Sequence, residues 1–185
     1  MKTIVWKPVE YQGMEYLALD ENKATLYAQS VVIGVEKQVA FRLDYIVKCD
    51  ESYAVREVNL GLNVPTRNLY LISDGRGNWF DKHDRPLSEF AGCIDVDISA
   101  TPFTNTLPIK RMKWQVGQVE TFKMVYILIP DLRVSVMRQR YTCLEKTDQG
   151  ATFRYENVDG DFSAVLKVDR DGLVLNYLGL FARVI

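Results

Sequence analysis

Asp95 and Asp97 stand one residue apart in the run Gly92-Cys93-Ile94-Asp95-Val96-Asp97-Ile98. On a strand rising about 3.3 Å per residue, two such carboxylates share a face roughly 7 Å apart, with Ile94, Val96 and Ile98 on the other face. That separation lies within the about 5–9.5 Å over which paired carboxyls hydrolyse glycosidic bonds, and paired acids also suit a divalent cation. The plainer expectation is two acids on a solvated strand face, paired with Lys110 or Arg111, because ion-pair networks commonly imitate sites. The plainer one is favoured over catalysis. Both acids are retained as contacts for the polar end of a ligand, with a sugar hydroxyl as the partner.

The residues after this pair read as a shaped polar loop. Thr101-Pro102 and Leu107-Pro108 are X-Pro steps that disfavour helix at Thr101 and Leu107. Thr104 and Asn105 between them could bond a headgroup or the loop's own backbone. Arg111, with Arg138 and Arg140, could clamp a phosphate or carboxylate, or Arg138 and Arg140 could simply be exposed. Arg138 and Arg140 share one face of their strand, while Met137, Gln139 and Tyr141 share the other, a mixture suited to a pocket wall or a core edge. His83, the one histidine, lies in the charged turn Asp81-Lys82-His83-Asp84 and is expected to be exposed. One imidazole is too few for a multi-histidine metal centre. Cys49, Cys93 and Cys143 are widely spaced without a C-x-x-C pattern, and they read as buried reduced thiols. No catalytic residue, metal or cofactor is expected.

The elements that must position these groups are strands. Apolar residues alternate at Phe41, Leu43, Tyr45, Val47 and Cys49, as on a half-buried antiparallel strand. The pattern recurs at Phe153 and Tyr155 and from Phe162 to Val168. Further strands are expected at 15–19, 25–35, 53–60, 68–73, 118–129 and 132–145, giving roughly 12 to 14 with the shorter segments, too many for one flat sheet. Gly, Asp and Asn clusters at 20–22, 74–78, 148–150, 157–160 and 169–172 supply the turns. Gly75-x-Gly77 is read only as a turn, since it precedes Trp79-Phe80 and lacks the third glycine of a phosphate-binding fingerprint. One short helix is expected over Leu87–Ala91, capped by Asp84 and stopped by Gly92, and another near Leu107–Met112. In Phe122–Ile129, Phe122, Met124, Tyr126 and Leu128 alternate with Val125, Ile127 and Ile129, so both faces need a cover: a packed layer or an apolar ligand.

The 185 residues fit one domain, 1–185. A net charge of −1 gives no electrostatic footprint for nucleic acid. No apolar run approaches the roughly 20 residues of a transmembrane span. The N-terminus has no export leader, which makes the expected location cytoplasmic. The fold class is mainly β: a strongly curved antiparallel sheet forming an incompletely closed barrel with one or two short helices.

The sequence also resembles a bacterial family named "Putative glycolipid-binding", formerly a domain of unknown function. The resemblance is carried by Asp95-Val96-Asp97-Ile98, by Thr101-Pro102-Phe103-Thr104-Asn105-Thr106-Leu107-Pro108-Ile109-x-Arg111, and by Asp74-Gly75-x-Gly77-x-Trp79. Pro130-x-Leu132, Gln139-Arg140-Tyr141 and Val168-Asp169-x-x-Gly172-Leu173-Val174-x-x-Tyr177 extend it along the chain. It implies a curved, open sheet similar to that of bacterial lipoprotein-localisation factors, with an apolar concavity for a lipid or glycolipid.

Three functions follow as expectations. The first is non-enzymatic binding of an amphipathic, glycolipid-like ligand. Asp95, Asp97, Thr104, Asn105, Arg111, Gln139 and Tyr141 would serve its polar end, and Phe122, Met124 and Tyr126 its tail. The alternatives are a sugar-conjugate hydrolase or transferase using Asp95 and Asp97, and a protein-interaction module without a small-molecule site. Oligomeric state is left open.

Overall fold

In a computed structural model of the chain, which describes residues 1–22, 24–36, 38–63 and 66–185, alternating burial sets the architecture. Six strands come first: β1 (Lys2–Pro8), β2 (Gln12–Glu21), β3 (Thr25–Glu36), β4 (Val39–Asp50), β5 (Val55–Asn63) and β6 (Thr66–Ser73). After β7 (Trp79–Phe80) come β8 (Asp95–Ile98), a helix α1 (Thr106–Arg111), β9 (Val119–Leu128) and β10 (Arg133–Thr147). The chain closes with β11 (Gly150–Asn157), β12 (Ser163–Asp169), β13 (Val174–Tyr177) and β14 (Phe181–Arg183).

Among the described residues these 14 strands make one sheet, in the order β7-β6-β5-β4-β3-β2-β1-β14-β13-β12-β11-β10-β9-β8. Every hairpin pairs sequence neighbours, so short turns suffice. Two junctions are non-local: β1 pairs with β14 through Trp6 and Arg183, and β8 joins β9 in parallel, Asp97 opposite Tyr126. The sheet does not close, because β7 and β8 are its two ends.

The core lies on one face. Leu26, Ala28 and Val32 of β3 and Phe41, Leu43, Tyr45, Val47 and Cys49 of β4 are all buried, one residue in two, as a sheet with one wet face requires. The connection between β7 and β9 fills the concavity and touches both halves of the sheet. Thr101 bonds Glu15 of β2, and Phe103 stacks on Tyr45 of β4 with ring centroids 6.4 Å apart. Asp97 and Asn105 bond Gln139 and Tyr141 of β10. Residues on β2 and β10 therefore converge on one segment, and that convergence is the curvature expected from the strand number.

Two local expectations are corrected. The helix expected over Leu87–Ala91 is a single 3-10 turn, Ser88–Phe90, which follows Leu87 with no side-chain cap. Asp84 sits at φ 58° in a turn held by Asp81, so its side chain is not at the helix start. The second helix forms, over Thr106–Arg111, preceded by a 3-10 turn Phe103–Asn105. Pro108 is accommodated because its missing N–H falls in the first turn, where helical amides have no internal partner. His83 is exposed, and the three cysteines are buried and unpaired. Burial raises all three thiols, Cys93 to about 11, which leaves them inert as nucleophiles at neutral pH.

Candidate functional site

The loop between β8 and α1 is fixed from inside by its hydroxyls. Thr101 Oγ1 accepts the amide of Phe103 at 3.0 Å and donates to Glu15 at 2.8 Å. Thr104 Oγ1 accepts the amide of Ile98 at 3.2 Å and donates to Asp97 Oδ1 at 3.1 Å. Such side-chain to backbone bonds replace the regular ladder that Pro102 interrupts. They bring Asn105 under β10.

There a buried polar network forms. Asn105 Nδ2 donates to the Tyr141 hydroxyl at 2.8 Å, that hydroxyl lies 3.4 Å from Gln139 Oε1, and Gln139 Nε2 donates to Asp97 Oδ2 at 2.6 Å. Gln139 and Tyr141 are entirely buried, Asn105 nearly so, and Asp97 is 9 % exposed. Among the described residues no cation pairs with Asp97: its bonds come from the neutral donors Thr104 and Gln139. Burial raises its pKa, against the lowering effect of Gln139 and Thr104. Burial, reinforced by the nearby Asp97 charge, also raises the Tyr126, Tyr141 and Tyr155 phenols, which stay protonated.

Asp95 belongs to a different unit. It forms an ion pair with Arg111 of α1, and the guanidinium lies 5.2 Å from the Phe122 ring centroid. Burial pushes the Asp95 carboxyl up to about 6 even with Arg111 opposing it. The expected pairing with Arg111 is present, but the solvated face is not. Both carboxylates are buried, because α1 and β10 cover the side of β8 that carries them. Of the two readings open for Arg138 and Arg140, the structure matches the exposed face rather than a clamp with Arg111. Arg138 pairs with Asp159 in an exposed contact, and Arg140 lies 3.9 Å from Glu156.

A cavity of about 260 Å³ opens beside the network, lined by the polar Asp97, Asn105 and Thr101 together with Tyr126, Met137, Tyr155, Phe162 and Tyr177. It shares Ser99, Leu180 and Phe181 with a cleft of about 500 Å³ that runs to Glu10, Tyr11, Phe41, Leu128 and Ile129. The smaller cavity alone is just under the about 300–1,000 Å³ of ordinary ligand pockets, whereas the cleft is within that range. A separate hollow of about 360 Å³ lies against Lys110 and Trp114 and is lined by none of the residues expected to contact a ligand.

Of those residues, Asp97, Asn105 and Tyr126 line the cavity. Thr104, Gln139 and Tyr141 brace Asp97 and Asn105 from behind. Asp95 and Arg111 form the neighbouring ion pair, Phe122 packs on Tyr141 and Trp114, and Met124 is buried in the core. Because only Asp97 of the two acids reaches the cavity, the paired-carboxylate geometry for sugar hydrolysis is not presented to a ligand there.

The sequence reading missed two features. Tyr177, Leu180 and Phe181 reach the cavity because β14 pairs with β1, a junction no local pattern announces. Glu15 is buried beneath the loop, where Tyr45, Thr101 and Ser30 hydroxyls lie 2.6, 2.8 and 2.9 Å from its Oε1, while Oε2 is without a partner. Burial pushes its carboxyl up to about 7 in spite of these bonds. Its signal was available, since Glu15 is in phase with the inward Leu17 and Leu19.

Comparison with known proteins agrees with this architecture. A crystal structure of a DUF1089 family protein from Pseudomonas aeruginosa superposes with a TM-score of 0.82 over 92% of each chain, at 36% sequence identity. No curated protein gives a significant match. The sequence profile of the family described as "Putative glycolipid-binding" matches residues 3–183. With that span and that structural relative, the chain belongs to this family.

Proposed function

We propose that the protein binds an amphipathic, glycolipid-like ligand without transforming it. The observation that carries this reading is the mixed wall of the 260 Å³ cavity. Asp97 and Asn105 are held there by Thr104, Gln139 and Tyr141, which are outside the lining, while Tyr126, Met137, Tyr155 and Phe162 offer apolar surface beside them. Pre-set polar groups set among apolar area are what a small-molecule site requires. The adjoining cleft past Ser99 and Phe181 gives an alkyl chain room to extend. The family's printed description points the same way.

Native mass spectrometry on protein purified under mild conditions, without detergent, tests it. The expected result is an adduct of lipid-like mass that is lost in Met137→Trp, whose larger side chain occupies the cavity. Adduct-free protein that also fails to take up an added alkyl glucoside contradicts the proposal.

A further inference from the structure

We propose that this site selects an amphiphile whose head is uncharged and rich in hydroxyl donors, a neutral sugar, and rejects the same tail bearing a phosphate or sulfate. The inference rests on the binding function proposed above and specifies the head group.

Among the described residues, neither lysine nor arginine lines the 260 Å³ cavity. Of the arginines nearby, Arg111 pairs with Asp95 and Arg138 with Asp159, while Arg133, whose charge reaches Tyr126, is outside the lining. What the cavity offers instead is Asp97, each oxygen of which accepts one bond from within the protein. An ionised carboxylate has about four acceptor positions, so each oxygen retains capacity for a hydroxyl donated by a ligand. Glu10 and Glu36 border the adjoining cleft and add carboxylates along the path.

An anionic head entering this space loses its hydration and finds no positive partner among the described residues that line it. Burying a charge without a counter-charge is among the costliest events in recognition. A neutral Asp97 still supplies no cation, so an anionic head is disfavoured in either protonation state, and more strongly when Asp97 is ionised. A sugar hydroxyl, in contrast, donates to Asp97 and can accept from the Tyr126, Tyr155 or Tyr177 phenols, which burial, with a contribution from the Asp97 charge, keeps protonated.

The test is isothermal titration of the full chain with octyl β-glucoside and with octyl sulfate, each below its micelle concentration, while near-UV circular dichroism confirms the fold. The expected result is at least tenfold tighter binding of the glucoside in the wild type. In Asp97→Asn, which keeps the shape and removes the charge, the preference should shrink several-fold. Equal binding, or tighter binding of the sulfate, overturns the selectivity and leaves the binding function standing. Binding of neither amphiphile overturns both.

Discussion

Glu15 and Asp95 are buried carboxylates whose folded values lie above their ordinary ones, at about 7 and about 6. The folded protein therefore holds these protons more tightly than the unfolded chain does. Their contribution to stability is complete below the ordinary carboxylate range and is lost as pH rises through about 6 to 7. For Glu15 the difference between 4.5 and about 7 corresponds to about 3 kcal/mol. We expect urea midpoints to fall between pH 4.5 and pH 7, and Glu15→Gln to flatten that slope, because an amide does not titrate. An unchanged slope in the variant would mean that Glu15 is solvated. Arg111→Met tests the neighbouring unit: it strips Asp95 of its counter-charge, and breaking a buried pair from one side costs about 3–5 kcal/mol. Thermal melts at pH 7 should show the loss, and melts at pH 4.5, where Asp95 is protonated, should recover part of it.

The turn at Asp74–Asn78 controls how the β8 connection enters the concavity. Gly77 has φ +98°, and an added Cβ would lie 2.9 Å from the Cα of Gly92. The Gly92 amide donates to the Gly77 carbonyl at 2.8 Å. Two backbones meet there with no space for a side chain. Gly77→Ala combines a left-handed backbone with that contact, and strained positions of this kind cost about 1–3 kcal/mol. The variant should melt lower, whereas Gly117→Ala, with open space around its Cβ position, meets only the backbone strain of φ +85°; equal losses would show that the close approach is immaterial. At this scale the sequence was largely readable. The strand patterns gave β2 to β6 and β9 to β12 to within a few residues, through alternating apolar and polar faces in β4, β11 and β12 and through a run apolar on both faces in β9. The short elements were harder. Ser88–Phe90 is only one turn long, and Leu87 takes the cap position with no side-chain bond, so capping chemistry had nothing to act on.

Across the whole molecule, curvature could be inferred from strand number, but the location of the hollow could not. The cavity is walled by residues from β8, β9, β10, β11, β13 and β14 together with the loop after β8, and their meeting depends on the pairing of β1 with β14. Asp97 and Asn105 stood out in the sequence through a strand-then-proline pattern. Tyr155 and Tyr177 look like any sheet aromatic until the fold brings them together, with ring centroids 5.8 Å apart. Asp95 was legible as half of an ion pair with Arg111, but its burial was not, since the spacing does not reveal that the face carrying it is covered. The most direct test of ligand binding in the concavity is a backbone NMR titration of the full chain with octyl β-glucoside below its micelle concentration. Binding at this site predicts saturable shifts concentrated at Asp97–Asn105, Met137, Tyr155 and Tyr177. Shifts that do not saturate, or that fall on the outward residues Met14, Tyr16 and Ile33 instead, would contradict it.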